Sequence, residues 1–241
     1  VDPAVFGGAV VLVKGARSLH LESAVQRWQH QVHGTELEID LEAIRTNLNF
    51  YRTLLSSPLL GRGAGGEAFP RVRIMAMVKA FGYGSGAVEL ARLFAHERVD
   101  YLGVAYADEG IELREAGLSL PIMVLNPDPE GMDLILHHNL EPEIYNTHIL
   151  RKLLTQCIYN QDPAVIHIKI DSGTHRLGFG PHDIDELISI LRDQPWIKVG
   201  TVFTHLSGSD ETKWDSFTHE QVSRFDAMYK DLAYGLGYSP P

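Results

Sequence analysis

This sequence has very little cysteine and no long hydrophobic run. Cys157 is the single cysteine among 241 residues, which excludes an intrachain disulfide framework and a cysteine-rich zinc site. No apolar stretch reaches the roughly 18 residues of a membrane span. The start, Val1-Asp2-Pro3, lacks the basic and then apolar layout of a signal peptide. These absences lead us to expect a cytoplasmic protein that does not enter the membrane.

Basic residues are also few, because 21 Lys and Arg stand against 31 Asp and Glu, for a net charge of −10. Such an acidic balance argues against binding nucleic acid through a general basic surface. The sequence has no Walker A or G-x-S-x-G motif. The segment Gly61–Gly66 matches G-x-G-x-x-G, but it follows a helix and precedes a strand, the reverse of the dinucleotide-binding order. The paired histidines lack carboxylates or cysteines at ligand spacing, so no metal site is predicted.

Short apolar runs alternate with segments that have apolar residues at helical spacing, as expected for a parallel α/β fold. Both a doubly wound sheet and a (β/α)8 barrel fit this alternation. After residue 70 we find six runs where a closed barrel needs eight strands, so the fold is either not a barrel or a barrel cut short. The six predicted strands are Ile74–Val78, Tyr101–Ala105, Ile122–Leu125, Glu141–Ile144, Val165–Ile170 and Val199–Thr204.

The part of the chain before these strands is predicted to contain a strand at Glu36–Ile39, a helix from Leu41 to about Leu55 and an exposed loop at Ser56–Pro70. Residues 1–33 stand apart. Their short strand at Ala9–Val13 and short helix around Leu21–Trp28 cannot form a core by themselves. We therefore interpret residues 1–33 as the remnant of an upstream domain.

A lysine ends one predicted buried strand, and a glycine-rich turn follows it. Lys79 would lie at the mouth of the fold, where α/β proteins place active sites, and apolar neighbours favour the neutral amine that acts as a nucleophile. The three glycines of the turn could present N–H groups to a phosphate; they are Gly82, Gly84 and Gly86. A lysine beside a phosphate cradle is what pyridoxal phosphate requires. The alternative is a lysine that reaches water before an ordinary turn.

Two further strand ends carry polar residues. Strand alternation places His167, Lys169 and Asp171 on one face of their strand, and Arg176 follows in the loop. The alternative here is a Lys169–Asp171 pair that supports the fold while Arg176 is solvated. His205 ends the next strand. Polar groups that converge on one mouth are less expected by chance than any one of them, so we favour an enzyme.

Three segments resemble the signature regions of alanine racemases, the bacterial fold-type III pyridoxal phosphate enzymes. These segments are Met75–Gly86, His167–Gly178 and Phe203–Glu211. The similarity runs from about Thr35 to the end of the chain, in the family's order and spacing. It implies that residues 34–241 form the N-terminal cofactor-binding domain, a TIM-like (β/α)8 barrel truncated before its last strands, without the C-terminal β-domain.

The resemblance also implies roles for particular residues. Lys79 would hold pyridoxal 5'-phosphate as an imine and act as the base on one face of the substrate's α-carbon. Tyr83 would bind the cofactor phosphate. Arg176 would contact the phenolate oxygen of the pyridine ring and be held by Lys169, which is carbamylated in many members. His205 would lie beside the ring.

The first residues resemble the end of another family. Val11–Arg17, followed by Glu22 and Val25, are similar to the last domain of a Mur ligase, the kind that joins D-alanyl-D-alanine to the UDP-linked muramyl tripeptide. This resemblance implies a ligase–racemase fusion that supplies D-alanine for peptidoglycan synthesis. Full-length family members are expected to be homodimers that racemise alanine.

The sequence departs from the family pattern in places. Ser85 stands where the family often has His, and Thr174 where it often has Met. Pro241 aligns just before the family's phosphate-binding Asn-Ser segment, so the tyrosine that acts as second base is expected to lie outside these residues, and the 241-residue chain alone is expected to be inactive. The alternatives are a non-catalytic pyridoxal phosphate carrier on the same barrel and a fold-type III amino-acid decarboxylase.

Overall fold

Helices and strands alternate along the chain, as the apolar pattern predicts. The computed structural model describes residues 38–55 and 72–241. The predicted elements within residues 1–33, the loop Ser56–Pro70 and the first half of the predicted strand Glu36–Ile39 lie outside the described residues. Glu38–Asp40 have no regular structure. Among the described helices, none is long and apolar enough to cross a bilayer.

The described elements follow one another in a regular order. The strands are β1 (Met75–Met77), β2 (Tyr101–Val104), β3 (Ile122–Val124), β4 (Glu141–Ile144), β5 (Ala164–Lys169) and β6 (Ile197–Phe203). The α-helices are α1 (Leu41–Leu55), α2 (Lys79–Tyr83), α3 (Ala87–His96), α4 (Ala107–Glu115), α5 (Met132–His137), α6 (Thr147–Asn160), α7 (Ile184–Leu191) and α8 (Asp215–Leu236). Short 3-10 helices lie at Pro129–Gly131, Pro181–Asp183 and Thr212–Trp214.

All six strands lie parallel in one sheet, in the order β1-β2-β3-β4-β5-β6. Each strand pairs with the next one in the chain. The two strands run in the same direction because the helix between them carries the chain back to the end of the sheet where the first strand began. The sheet curves so far that side chains of β1 and β6 line the same cavity. This is the wall of a (β/α)8 barrel with six strands in place, and it confirms the predicted truncated TIM-like fold.

The core forms between the outer face of this wall and the helices. Fully buried aliphatic side chains from alternate strand positions, such as Leu102, Ile122 and Ile168, pack against apolar faces of the helices. The intervening residues point to the other face of the sheet. On β5 this alternation separates Ile166 and Ile168 from His167 and Lys169, as predicted, and gives the inner face its polar residues.

Cys157 lies on α6 with no exposed surface. Burial is the main cause that raises the pKa of its thiol to about 11. Because the thiolate is the reactive form, we expect the native thiol to resist a disulfide reagent at neutral pH and to react only as fast as the chain unfolds. Reaction with Ellman's reagent across a urea series tests this expectation. Rapid stoichiometric labelling without urea would contradict it.

Candidate functional site

A cavity of about 660 Å³ opens where the wall brings β1 and β6 together. Apolar side chains such as Met77, Met123 and Leu125 form part of its lining. The five residues singled out from the sequence all line it as well: Lys79, Tyr83, Lys169, Arg176 and His205. The structure therefore brings the three polar strand ends to one place, which is the convergence that the sequence pattern predicted.

The turn after Lys79 is a left-handed coil. Four consecutive residues, Ala80, Phe81, Gly82 and Tyr83, have φ between +54° and +62°. This conformation costs a non-glycine residue about 1–2 kcal/mol because its Cβ approaches the following carbonyl oxygen. Such strain persists only where surrounding contacts enforce it, and it concentrates at functional sites.

The glycines of this turn do not offer free N–H groups to an anion, so that expectation was wrong. The left-handed coil closes its own hydrogen bonds and thereby uses these donors. The N–H of Gly82 donates to the Val78 carbonyl at 3.0 Å, and the N–H groups of Gly84 and Gly86 both donate to the Phe81 carbonyl at 3.1 Å. Gly82 has little room for a side chain, since a Cβ there would lie 2.9 Å from Cδ1 of Leu90 and 3.3 Å from the backbone nitrogen of Ala87.

A buried carboxylate on α4 holds this turn in place. Oε1 of Glu109 accepts a hydrogen bond from the N–H of Ala80 at 2.9 Å, and Oε2 accepts one from the N–H of Ala105 at 2.7 Å. Glu109 is 5% exposed. Its carboxylate therefore connects the residue that follows β2 to the residue that follows Lys79.

Replacing Glu109 by glutamine is expected to destabilise the protein by about 2 kcal/mol, because hydrogen bonds to a charged group contribute about 1.5–3 kcal/mol and the new amide presents N–H to another N–H. Urea unfolding measures the loss, with the exposed Glu112→Gln on the same helix as the control. Hydrogen exchange of residues 79–86 is expected to increase in Glu109→Gln alone. Equal stability of the two variants would contradict this role.

The loop that carries Arg176 is closed by Asp171. Oδ1 of Asp171 accepts hydrogen bonds from the N–H of Gly173 at 2.9 Å and from the N–H of His175 at 3.1 Å. Burial acts to raise the pKa of Asp171, but these hydrogen bonds and those from Thr174 outweigh it, and the pKa lies below its usual value. The carboxylate therefore stays ionised at neutral pH and holds the loop.

Lys169 pairs with Glu143 and not with Asp171. Its Nζ lies 3.1 Å from Oε1 of Glu143, and both side chains are buried. Nζ also lies 5.6 Å from the centre of the Phe203 ring. Burial raises the pKa of Glu143, while the charges of Lys169, Arg176 and Lys79 oppose that increase.

His205 lies beside the same cations. Burial lowers its pKa, and the charges of Arg176, Lys169 and Lys79 lower it further. The ring is therefore neutral at pH 7. Its backbone carbonyl accepts a hydrogen bond from Nε2 of Gln221 at 3.1 Å, so a buried side chain of α8 fixes the segment that carries His205.

Sequence reasoning missed three residues that build this site: Glu109, Glu143 and Gln221. Each is a polar side chain that the fold buries almost completely. Glu143 had a detectable signal, because a carboxylate inside a strand of a parallel sheet needs a partner. Glu109 and Gln221 are on helices, where nothing in the local pattern distinguishes them from solvated residues.

Known proteins resemble this chain over most of its length. The family profile described as "Alanine racemase, N-terminal domain" matches residues 39–240. Alanine racemase 1 of Oceanobacillus iheyensis is 32% identical over 207 residues, which are 85% of this chain and 51% of that protein. The alanine racemase of Thermodesulfovibrio yellowstonii is 36% identical over 169 residues, which are 70% of this chain and 44% of that protein.

Solved structures agree with these relatives. The alanine racemase of Clostridium difficile 630 matches 83% of this chain with a TM-score of 0.72 and 31% identity, over 50% of its own chain. The alanine racemase of Corynebacterium glutamicum matches 84% of this chain with a TM-score of 0.70 and 27% identity, over 53% of its own. The chain thus spans about half the length of the proteins it matches. It belongs to the alanine racemase family, whose N-terminal barrel domain it carries.

Proposed function

We propose that this chain takes part in the pyridoxal 5'-phosphate-dependent interconversion of L-alanine and D-alanine. One observation carries the proposal: the residues that the family resemblance implies for cofactor binding all line one cavity. Lys169 lies on β5 and the others lie on the segments that follow β1, β5 and β6, so their convergence is a property of the barrel and not of any local motif.

The residues that line the cavity suit the cofactor in charge and in apolar surface. Pyridoxal 5'-phosphate bears a phosphate and a phenolate oxygen, both of which are anionic. Lys79, Lys169 and Arg176 supply three cationic groups at the cavity, of which Lys169 is paired with Glu143. The apolar side chains of the wall can pack against an aromatic ring. The amine of Lys79 is available at the cavity for the covalent attachment.

Each of the cavity residues would have its own role in cofactor binding or proton transfer. Nζ of Lys79 would hold the cofactor and then move the α-proton on one face of the substrate. The Tyr83 hydroxyl would bind the phosphate, and the guanidinium of Arg176 would bind the phenolate oxygen. His205, which is neutral, would lie beside the ring without adding charge. When bound, pyridoxal 5'-phosphate withdraws electrons from the α-carbon and so acidifies its proton.

Inversion of the α-carbon needs a second proton-transferring group on the opposite face of the substrate. We propose that this group is a tyrosine supplied by a C-terminal β-domain across a homodimer interface. The family resemblance supports this proposal.

We further propose that residues 1–33 are the end of a Mur ligase domain, so that the ligase and the racemase act together in cytoplasmic peptidoglycan synthesis. The support is the resemblance of Val11–Arg17 to the last ligase domain. The matched family domain begins only at residue 39.

The proposed activity is tested with the full-length protein, L-alanine and added pyridoxal 5'-phosphate. D-alanine is measured by coupling to a D-amino-acid oxidase. We expect D-alanine to form until the two enantiomers are equal in concentration, and to form only when the cofactor is present. Binding of the cofactor without turnover of either enantiomer would favour the non-catalytic carrier instead.

A further inference from the structure

Glu143 is the most deeply buried carboxylate near the cavity. It lies on β4 with no exposed surface. Neither of its oxygens accepts a hydrogen bond with good geometry from any group in the described part of the chain. Burying an ionised carboxylate costs free energy unless a positive charge pairs with it. The positive charges around Glu143 therefore offset the cost of burying its carboxylate.

The nearest of these charges belongs to Lys169 on the neighbouring strand β5. Its Nζ is 3.1 Å from Oε1 of Glu143, and β4 and β5 are held in register by the pairing of Glu143 with His167. Lys169 is 6% exposed and lies near the Phe203 ring. In such a surrounding the electrostatic attraction between the two side chains is screened little, and it opposes the increase that burial causes in the pKa of Glu143.

We propose that Glu143 is a positioning residue of this site: its carboxylate pairs with the Lys169 ammonium group at 3.1 Å and so keeps Lys169 unmodified. Lysine carbamylation would work against this pair. Formation of the carbamate joins the lysine nitrogen to carbon dioxide by a new N–C bond and releases two protons from the ammonium group, so the charge changes from +1 to −1. Beside Glu143, the change would replace an attraction by a repulsion and leave a buried carboxylate unpaired.

The inference deepens the proposed function, because Lys169 lines the proposed cofactor cavity together with Arg176. Only the role of Lys169 toward a bound cofactor depends on the proposed function. In this chain, Arg176 would have an ammonium group held by Glu143 as its neighbour, and not a carbamate.

The test is uptake of carbon dioxide by Lys169. Full-length protein is incubated with carbon-13-labelled bicarbonate at neutral pH, and the carbamate carbonyl is observed by NMR. We expect no carbamate on Lys169 in the wild-type protein and at least a tenfold higher occupancy in Glu143→Gln, which removes the charge and keeps the size. Addition of Lys169→Ala to Glu143→Gln should abolish the signal.

Two variants control for structural effects. Glu141→Gln changes a carboxylate of the same strand that contacts His167 and not Lys169, and it should remain unlabelled, as should Glu143→Asp, which retains the charge. If Glu143→Gln does not fold, Glu143→Thr serves as a second neutral variant.

Carbamate on Lys169 of the wild-type protein would overturn the proposal without any variant. Its absence from both wild type and a folded neutral variant would show that Glu143 is not the cause, and would also overturn it. The measurement needs neither alanine nor the cofactor, so its failure is distinguishable from failure of the proposed function.

Discussion

Lys79→Ala is expected to lower the rate of alanine racemisation by at least about a thousandfold. The variant removes the amine that would hold the cofactor and also move the α-proton. General acid–base catalysis alone contributes about 10²–10⁴-fold, and loss of covalent attachment adds to that loss. Alanine itself should be tolerated at this position, since the left-handed residues of the turn begin only at Ala80.

The same variant identifies the attachment site. Reduction with borohydride in the presence of pyridoxal 5'-phosphate, followed by peptide mass analysis, should show an adduct at Lys79 of the wild-type protein and none in Lys79→Ala. Lys152→Ala is the matched control, because Lys152 is an exposed lysine that pairs with Glu130 on the surface. Full activity in Lys79→Ala, or an adduct that moves to Lys169 with activity retained, would contradict the assigned role.

Gly178→Ala is expected to destabilise the protein by about 3 kcal/mol or more. Gly178 has φ of +132°, and a Cβ there would lie 2.5 Å from the backbone nitrogen of Asp171. The opposing backbone cannot easily move, because the N–H of Asp171 donates to the Phe179 carbonyl at 3.0 Å and the N–H of Phe179 donates to the Lys169 carbonyl at 2.9 Å. Overpacking and backbone strain each cost about 1–3 kcal/mol.

The chain offers a matched control for this clash. Gly117 also has positive φ, +86°, but no atom lies within 4 Å of a Cβ built on it. Gly117→Ala should therefore cost only the conformational term, about 1 kcal/mol. Urea unfolding of both variants measures the difference. Equal losses in the free energy of unfolding would show that only the backbone conformation of Gly178 matters, and that the short distance between its Cβ position and the nitrogen of Asp171 does not.

The Gly178→Ala substitution should also disturb the cofactor site, because residues 171–178 form the loop that carries Arg176. We expect weaker binding of pyridoxal 5'-phosphate in Gly178→Ala and unchanged binding in Gly117→Ala. Fluorescence titration with the cofactor at a temperature where both variants are folded tests this expectation.

Much of the fold could be predicted because its signals are local. The helix predicted from Leu41 to about Leu55 has those bounds in the structure, and each of the six predicted strands is present in the sheet. Apolar runs separated by helical periodicity report burial on both faces of a parallel sheet, which depends on neighbours along the chain.

The partners of the polar residues were less predictable. From the sequence, Asp171 was as reasonable a partner for Lys169 as any other carboxylate, because two residues of one strand share a face. The structure pairs Lys169 with Glu143 because β4 lies beside β5, and the register brings these two positions together. The glycine turn was predicted to open its donors to a ligand, whereas a left-handed coil uses them internally.

The amino-acid sequence by itself determined the parallel α/β alternation, the family resemblance and the residues that carry the proposed chemistry. Only the tertiary structure decided which charges compensate one another, how Glu109 holds the turn after Lys79, and that Gly178 must remain without a side chain. The physical reason is distance along the chain. Periodicity records whether a residue is buried, but the contacts of Glu143, Glu109 and Gly178 join segments that only the curvature and register of the barrel bring together.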